Sequence, residues 1–274
     1  GHGRMALYAS SHDRDQFWHA MQARRTNALT GDRIHLLAEI DGAMHGEIVG
    51  ARSAAELGIE AVAGGAIDHI DVIRNGRLWH RISPAITPAP IAPEPDETLI
   101  HLDLGWGARG SHHDWEVALR LDGGTIEAVE PRFRGPEIVS PLEGEDSGHP
   151  MPRIGCEDGS VTLSVTAEAN PNNTTPTTQG MMVRAHLPES GTIKARLSGQ
   201  DVTIPAARLY EGAKSGNLGP IDSPAWRFHQ LPRPGAWQWQ GAVALGALAP
   251  GETIYLRLRQ ESGQMAWTSP IFVR

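Results

Sequence analysis

Cysteine is nearly absent from this 274-residue chain. Cys156 stands alone, which excludes an internal disulfide framework and a thiolate metal cluster and reads as an inert buried thiol. Long apolar runs are missing too. Gly241–Pro250, the longest weakly polar run, is half the length of the about 20 residues that a membrane-spanning helix needs. No charged-then-apolar leader is visible, which leaves the compartment open. Positive charge is short: 24 Lys and Arg face 32 Asp and Glu, a formal net charge of −8. Residues 84–160 carry 15 acidic and 5 basic groups, a balance that repels a phosphate backbone and argues against nucleic acid as a partner. Glycine-rich phosphate loops, dinucleotide fingerprints and a G-x-S-x-G elbow are all missing.

What is abundant is turn chemistry. The 31 glycines and 20 prolines make up roughly a fifth of the chain, against about 12% in ordinary usage, so many short elements are expected. Met5–Tyr8 reads as a short strand and Ser10–Arg25 as the one long helix, N-capped by Asp13 with Gln16 at capping-box spacing. Phe17, Trp18 and Met21 make its apolar stripe. A single strand–helix pair cannot bury both faces, so it either docks on the β region C-terminal to it or belongs to an α/β domain upstream. The opening Gly1-His2 reads as the remnant of a cleaved purification tag, with His2 a scar rather than a ligand.

From Arg33 onward the period is that of strands. Arg33–Asp41 alternates, Gly58–Ala63 comes next, and Ile67–Arg74 and Arg77–Ile82 flank Asn75-Gly76, a strong hairpin signal. These make a small β unit over 33–83. Ser83–Pro95 holds five prolines and reads as a stiff connector over 84–95 or as an edge-hugging crossover. Thr98–Gly105, Trp115–Leu121 and Thr125–Glu130 resume alternation. Residues 131–159 and 211–223 read as long loops. Val161–Glu168, Met181–Leu187, Thr192–Leu197, Trp226–Gln230, Trp237–Val243, Thr253–Arg259 and Met265–Val273 then complete a β-sandwich over 96–274. The fold class expected is mainly β: immunoglobulin-like sandwich units preceded by one strand–helix unit, 1–32, left over from an upstream α/β barrel.

Two stretches go beyond composition. FWHAMQARRTNALTGDRIHL (Phe17–Leu36), with ALYASSHDRD before it, resembles a bacterial family of uncharacterised proteins related to the PHP (polymerase and histidinol phosphatase) metallohydrolases. IDHIDVIRNGRLWH, DWEVALRLDGGTIEAVEP and AWTSPIFV are similar to that family's C-terminal half. The resemblance implies an upstream α/β barrel binding a divalent metal, with hydrolytic, phosphoester-type chemistry. It places nearly all ligands, on His-x-His and Asp-x-His strands, before residue 1. This chain alone is then expected to hold no cofactor and to be catalytically silent, walling or supporting the barrel. Its expected partners are that upstream domain and, through the N-terminal helix, a second copy; neither nucleic acid nor membrane is expected.

Candidate site residues are few. Thr30, Asp32 and Arg33 in the turn after the helix would stand nearest the barrel's chemistry, or simply fix a turn. His112, His113 and Asp114 form the most ligand-like cluster, with Asp68, His69 and Asp71 another. Adjacent strand residues point to opposite faces, so one ion rarely uses both histidines. Eight tryptophans exceed the three tyrosines and four phenylalanines. Trp237 and Trp239 share one strand face and would stack on sugar rings if exposed or fill the core if not. The alternatives to a non-catalytic module are therefore a carbohydrate-binding sandwich and an independent metal-dependent hydrolase.

Overall fold

The computed structural model describes residues 3–86, 94–108, 110–133, 151–169 and 178–274. It is mainly β, built of sheets that are antiparallel except for the pairing of Ile48–Val49 with Ile271–Val273 and packed as sandwiches, and it divides into two compact units. One is discontinuous, made of Gly3–Pro93 and Gly235–Arg274, and the other, Glu94–Pro234, is inserted between its halves. Among the described residues no helix is long and apolar enough to cross a membrane.

The first half of the discontinuous unit supplies β1 (Arg4–Leu7), α1 (Arg14–Gln22), β2 (Thr26–Leu29), β3 (His35–Ile40), β4 (Ala43–Met44), β5 (Ile48–Val49), β6 (Arg52–Val62), β7 (Ile67–Arg74) and β8 (Arg77–Ile82). The inserted unit carries β9 (Glu97–Leu104), β10 (His112–Asp122), β11 (Thr125–Pro131), β12 (Arg153–Glu157), β13 (Ser160–Glu168), β14 (Gln179–His186), β15 (Thr192–Leu197), β16 (Gln200–Pro205), α2 (Ala206–Glu211), β17 (Lys214–Asn217) and β18 (Ala225–Phe228). The chain then returns with β19 (Gln238–Leu248), β20 (Thr253–Gln260), β21 (Met265–Thr268) and β22 (Ile271–Val273).

That return corrects the sequence boundaries. Residues 33–83 do not close a unit alone, and 96–274 is not one sandwich. β19 joins β6, β3 and β4 in a four-stranded sheet, while β20 pairs with β7 on one side and with β21 and β22 on the other. Leu36, Ile40, Leu57 and Ile59 from one sheet meet Ile70, Val72, Leu256 and Leu258 from the other in one core. On the outer face of β7, Asp71 is fully buried between Arg81 of β8 and Arg257 of β20, its register partners. Arg81 Nε and Arg257 Nη2 each donate to it at 2.6 Å. Burial works to raise its pKa, yet the two guanidiniums hold the carboxyl below its ordinary value. The inserted unit is a sandwich of two five-stranded sheets, β12-β13-β10-β15-β16 and β11-β14-β9-β18-β17. Trp115, Phe228, Leu102 and Leu163 lie in its core.

The N-terminal strand–helix unit is integrated into the discontinuous unit. β1 pairs β2, which pairs β21, so the eight-stranded sheet ends at β1. The helix, Arg14–Gln22, is shorter than the expected Ser10–Arg25. Arg24 sits at φ 58, with the Arg25 N–H donating to Ala20 O and the Arg24 N–H to Met21 O, a Schellman stop. A Cβ at Gly46 would lie 2.4 Å from Arg24 O, so only glycine lets this corner close. The expected loops are partly strands as well: Arg153–Glu157 pairs β13, and Lys214–Asn217 pairs β18. Residues 134–150 and 87–93 lie outside the described residues. The Asn75-Gly76 hairpin forms as expected, with φ of 53 and 73 at its two turn positions.

His45 is fully buried against Tyr8, ring centroids 4.9 Å apart, and its Nε2 has no hydrogen-bond partner among the described residues. Burial pushes its pKa down to about 4. The folded protein keeps the ring neutral while the unfolded chain protonates it near 6.5, so stability is full above that pH and falls toward pH 4. Urea unfolding should show this part of the stability, about 3 kcal/mol between pH 7 and pH 4, disappear in His45→Leu. Equal slopes in both proteins would contradict it.

Candidate functional site

In the inserted unit, β9 lies in the middle of its sheet, between β14 and β18. Its alternation sends Ile100, Leu102 and Leu104 into the core, so Leu99, His101 and Asp103 point to the opposite face. β18 runs antiparallel to it with Phe228 opposite Leu102. The next residue, His229, therefore comes beside His101, and its N–H donates to His101 O at 3.0 Å. The two imidazoles stack with centroids 4.2 Å apart and planes 9° from parallel. Both Nε2 atoms aim at the Asp103 carboxylate, His229 at 2.7 Å from Oδ2 and His101 at 3.2 Å from Oδ1. All three potential ligand atoms lie within 4.8 Å of one another.

The electrostatics derive from that convergence. Burial tends to raise the pKa of Asp103, but the hydrogen bonds from His101 and His229 hold its carboxyl far below the usual carboxylate range. An ionised carboxylate only accepts, so each Nε2 carries a proton in this arrangement. Gly180 stands opposite Asp103 on β14, where a Cβ would come 2.1 Å from Leu102 O. One flank of the carboxylate is thus free of any side chain from β14. Arg227, an exposed residue, is the register partner on the other flank. Leu99 and Met182, both buried, flank His101. Two imidazole nitrogens and one carboxylate oxygen can hold a divalent ion, or pass a proton between ring and carboxylate.

The residues singled out from sequence fall elsewhere. Thr30 and Asp32 serve the turn between β2 and β3. Thr30 Oγ1 donates to Gln264 Oε1 at 2.7 Å, and buried Asp32 accepts from Gln260 Nε2 at 3.0 Å. Arg33 is exposed. His112, His113 and Asp114 alternate along β10 and do not converge. His113 packs on the Trp115 ring at 4.9 Å, while Asp114 accepts from Thr166 Oγ1 at 2.6 Å. His69 lies between the two carboxylates, Nδ1 3.1 Å from Asp68 Oδ2 and Nε2 3.6 Å from Asp71 Oδ2, but Asp71 also accepts from its two arginines. Cys156 is exposed on β12, not buried. Among the described residues the converging three-residue ligand group is His101, Asp103 and His229. Its only local trace was the His-x-Asp alternation in TLIHLDLG, since His229 enters through register 126 positions away.

No protein-family model matches the chain, and no curated protein does.

Trp237 and Trp239 are 1% and 5% exposed, so they line a core and present no ring face to a sugar. Gly241 makes room for the Trp239 ring, which a Cβ there would approach to 2.7 Å. Trp237→Ala and Trp239→Ala should each cost about 3–5 kcal/mol of unfolding free energy in urea titration. Full stability in both variants, with a sugar-dependent fluorescence change in the parent, would restore the platform reading.

Proposed function

We propose that this chain is the non-catalytic, β-rich C-terminal part of a protein resembling PHP-type metal-dependent hydrolases. In this reading it buttresses an upstream α/β domain of the same protein, in which the divalent metal and the phosphoesterase-like chemistry reside. The supporting observation is the face of α1. Phe17, Trp18 and Met21, at 38%, 57% and 42% exposure, form one helical stripe open to water, and Met5 on β1 is 57% exposed. Single exposed apolar residues need no explanation, but several on one short helix mark a surface that covers something.

The helix is not frayed. Asp13 caps its start by accepting from the Gln16 N–H at 2.9 Å, and Arg24 Nε donates to Gly46 O at 2.9 Å beyond its end. Arg25 pairs Glu47 at 2.8 Å. A fixed helix with an apolar outer stripe, beside β1 at the end of its sheet, offers a neighbouring domain both an oily face and an unpaired strand edge. Thr30, Asp32 and Arg33 lie just beyond β2, in the turn that leads into β3.

Trp18→Glu should shift the melting temperature of the 274-residue protein by less than about 2 °C, because the side chain is exposed. The same change in the protein extended by its upstream coding segment should lower the melting temperature by several times that amount. The isolated chain with Mn2+ should not hydrolyse p-nitrophenyl phosphate, whereas the extended protein should. Hydrolysis by the isolated chain or a start codon immediately before Gly1 would each overturn the reading.

A further inference from the structure

The His101–Asp103–His229 group lies in the inserted unit, on other elements than the α1 face, and its role does not depend on what that face covers. We propose that these three side chains form a binding site for one divalent first-row transition ion, with zinc the best match to the donors. The ligands would be His101 Nε2, His229 Nε2 and one oxygen of Asp103.

Geometry carries the argument. Zinc holds imidazole nitrogen and carboxylate oxygen at about 2.0–2.2 Å, so neighbouring ligand atoms of a tetrahedral site lie about 3.4 Å apart. The groups already stand close to that edge: His101 Nε2 is 3.2 Å from Asp103 Oδ1, His229 Nε2 is 2.7 Å from Oδ2, and one ligand atom from each of the three residues lies within 4.8 Å of the others. Small rotations of the rings and the carboxylate reach it. Backbone hydrogen bonding brings the ligands together, with His229 directly after β18. His101 and Asp103 are two apart on a central strand, and His229 is held beside His101 by the 3.0 Å bond between their main chains. Ligand atoms carried on rigid elements lose little freedom on binding.

Charge and tautomer chemistry agree with this placement. A carboxylate ligand would offer the ion one negative charge. In the metal-free state each ring donates its Nε2 proton to that carboxylate. An imidazole binds a metal through a nitrogen lone pair, so with Nε2 as the ligand each ring would carry its proton on Nδ1. Each side chain keeps part of its surface accessible, 14% for His101, 21% for His229 and 27% for Asp103. Gly180 puts no side chain of β14 beside Asp103. Three protein ligands leave a fourth position for water or an oxygen ligand, the pattern of open rather than closed zinc sites.

Isothermal titration of the whole EDTA-stripped protein with Zn2+ tests this, with Co2+ as a spectroscopic probe. One equivalent should bind, and Co2+ should give the intense visible bands of a tetrahedral site. Losing an outer-sphere partner of a metal costs about 10–100-fold in affinity, so His101→Ala, His229→Ala and Asp103→Ala should each weaken binding by at least that much. A His112→Ala/His113→Ala double variant should keep the full equivalent. Where a variant fails to fold, the parent protein still decides: Zn2+ should shield His101 and His229 from diethyl pyrocarbonate. No saturable binding, binding lost with His112 and His113, or unchanged labelling of His101 and His229 would overturn the site and show the group to be a hydrogen-bonded cluster only.

Discussion

β20 bonds along one edge to β7 and along the other to β21 and β22, and the discontinuous unit depends on that double pairing. Without it, residues before β9 would have two incomplete sheets and half a core. Its inward residues Ile254, Leu256 and Leu258 are fully buried, while Arg257 on the opposite face reaches the Asp71 carboxylate. Slipping the strand by one residue would turn Arg257 into the core and Leu256 out of it, so register is set from both faces at once. The cross-strand row Arg257–Asp71–Arg81 adds a geometric lock. A buried carboxylate with two guanidiniums tolerates little displacement, because losing either partner leaves charge uncompensated.

The presentation of α1 depends on the same pairing. β1 reaches the sheet only through β2, and β2 only through β21, so strands from the end of the chain set where the N-terminal helix stands. The exposed Phe17, Trp18 and Met21 therefore sit on a rigid base and not on a loose arm. The two proposed surfaces belong to separate units: an apolar helix face in the discontinuous one and a polar, ligand-like group in the inserted one. A β-sandwich by itself says nothing of activity, and both readings rest on particular side chains.

Local chemistry was legible in the sequence and distant pairing was not. Ile67–Arg74 and Arg77–Ile82 were readable to the residue because Asn75-Gly76 takes positive φ at both positions of a two-residue turn. Thr192–Leu197 was as plain, its alternation unbroken. β17 was hidden because Gly216 must lack a side chain under the Trp226 ring, so a strand residue there carries a loop signature. The helix looked longer than it is, since nothing local marks Arg24 as the left-handed residue that Gly46 and Phe272 accommodate. The partition into units was illegible for a simpler reason. β6 finds β19 nearly two hundred residues later, and no periodicity within either strand names its partner. His101 and Asp103 show in the alternation of β9, but His229 joins them only through the sheet.

Native-state hydrogen exchange tests most directly whether the two ends of the chain form one cooperative body. Amides of Leu256 and Leu258 in β20 should exchange with the same opening free energy as those of Ile70 and Val72 in β7 and Ile59 in β6, all limited by unfolding of the discontinuous unit as a whole. Fast exchange throughout β20 while β6 and β7 stay protected would show that residues 3–93 fold without the returning strands, and would contradict the account.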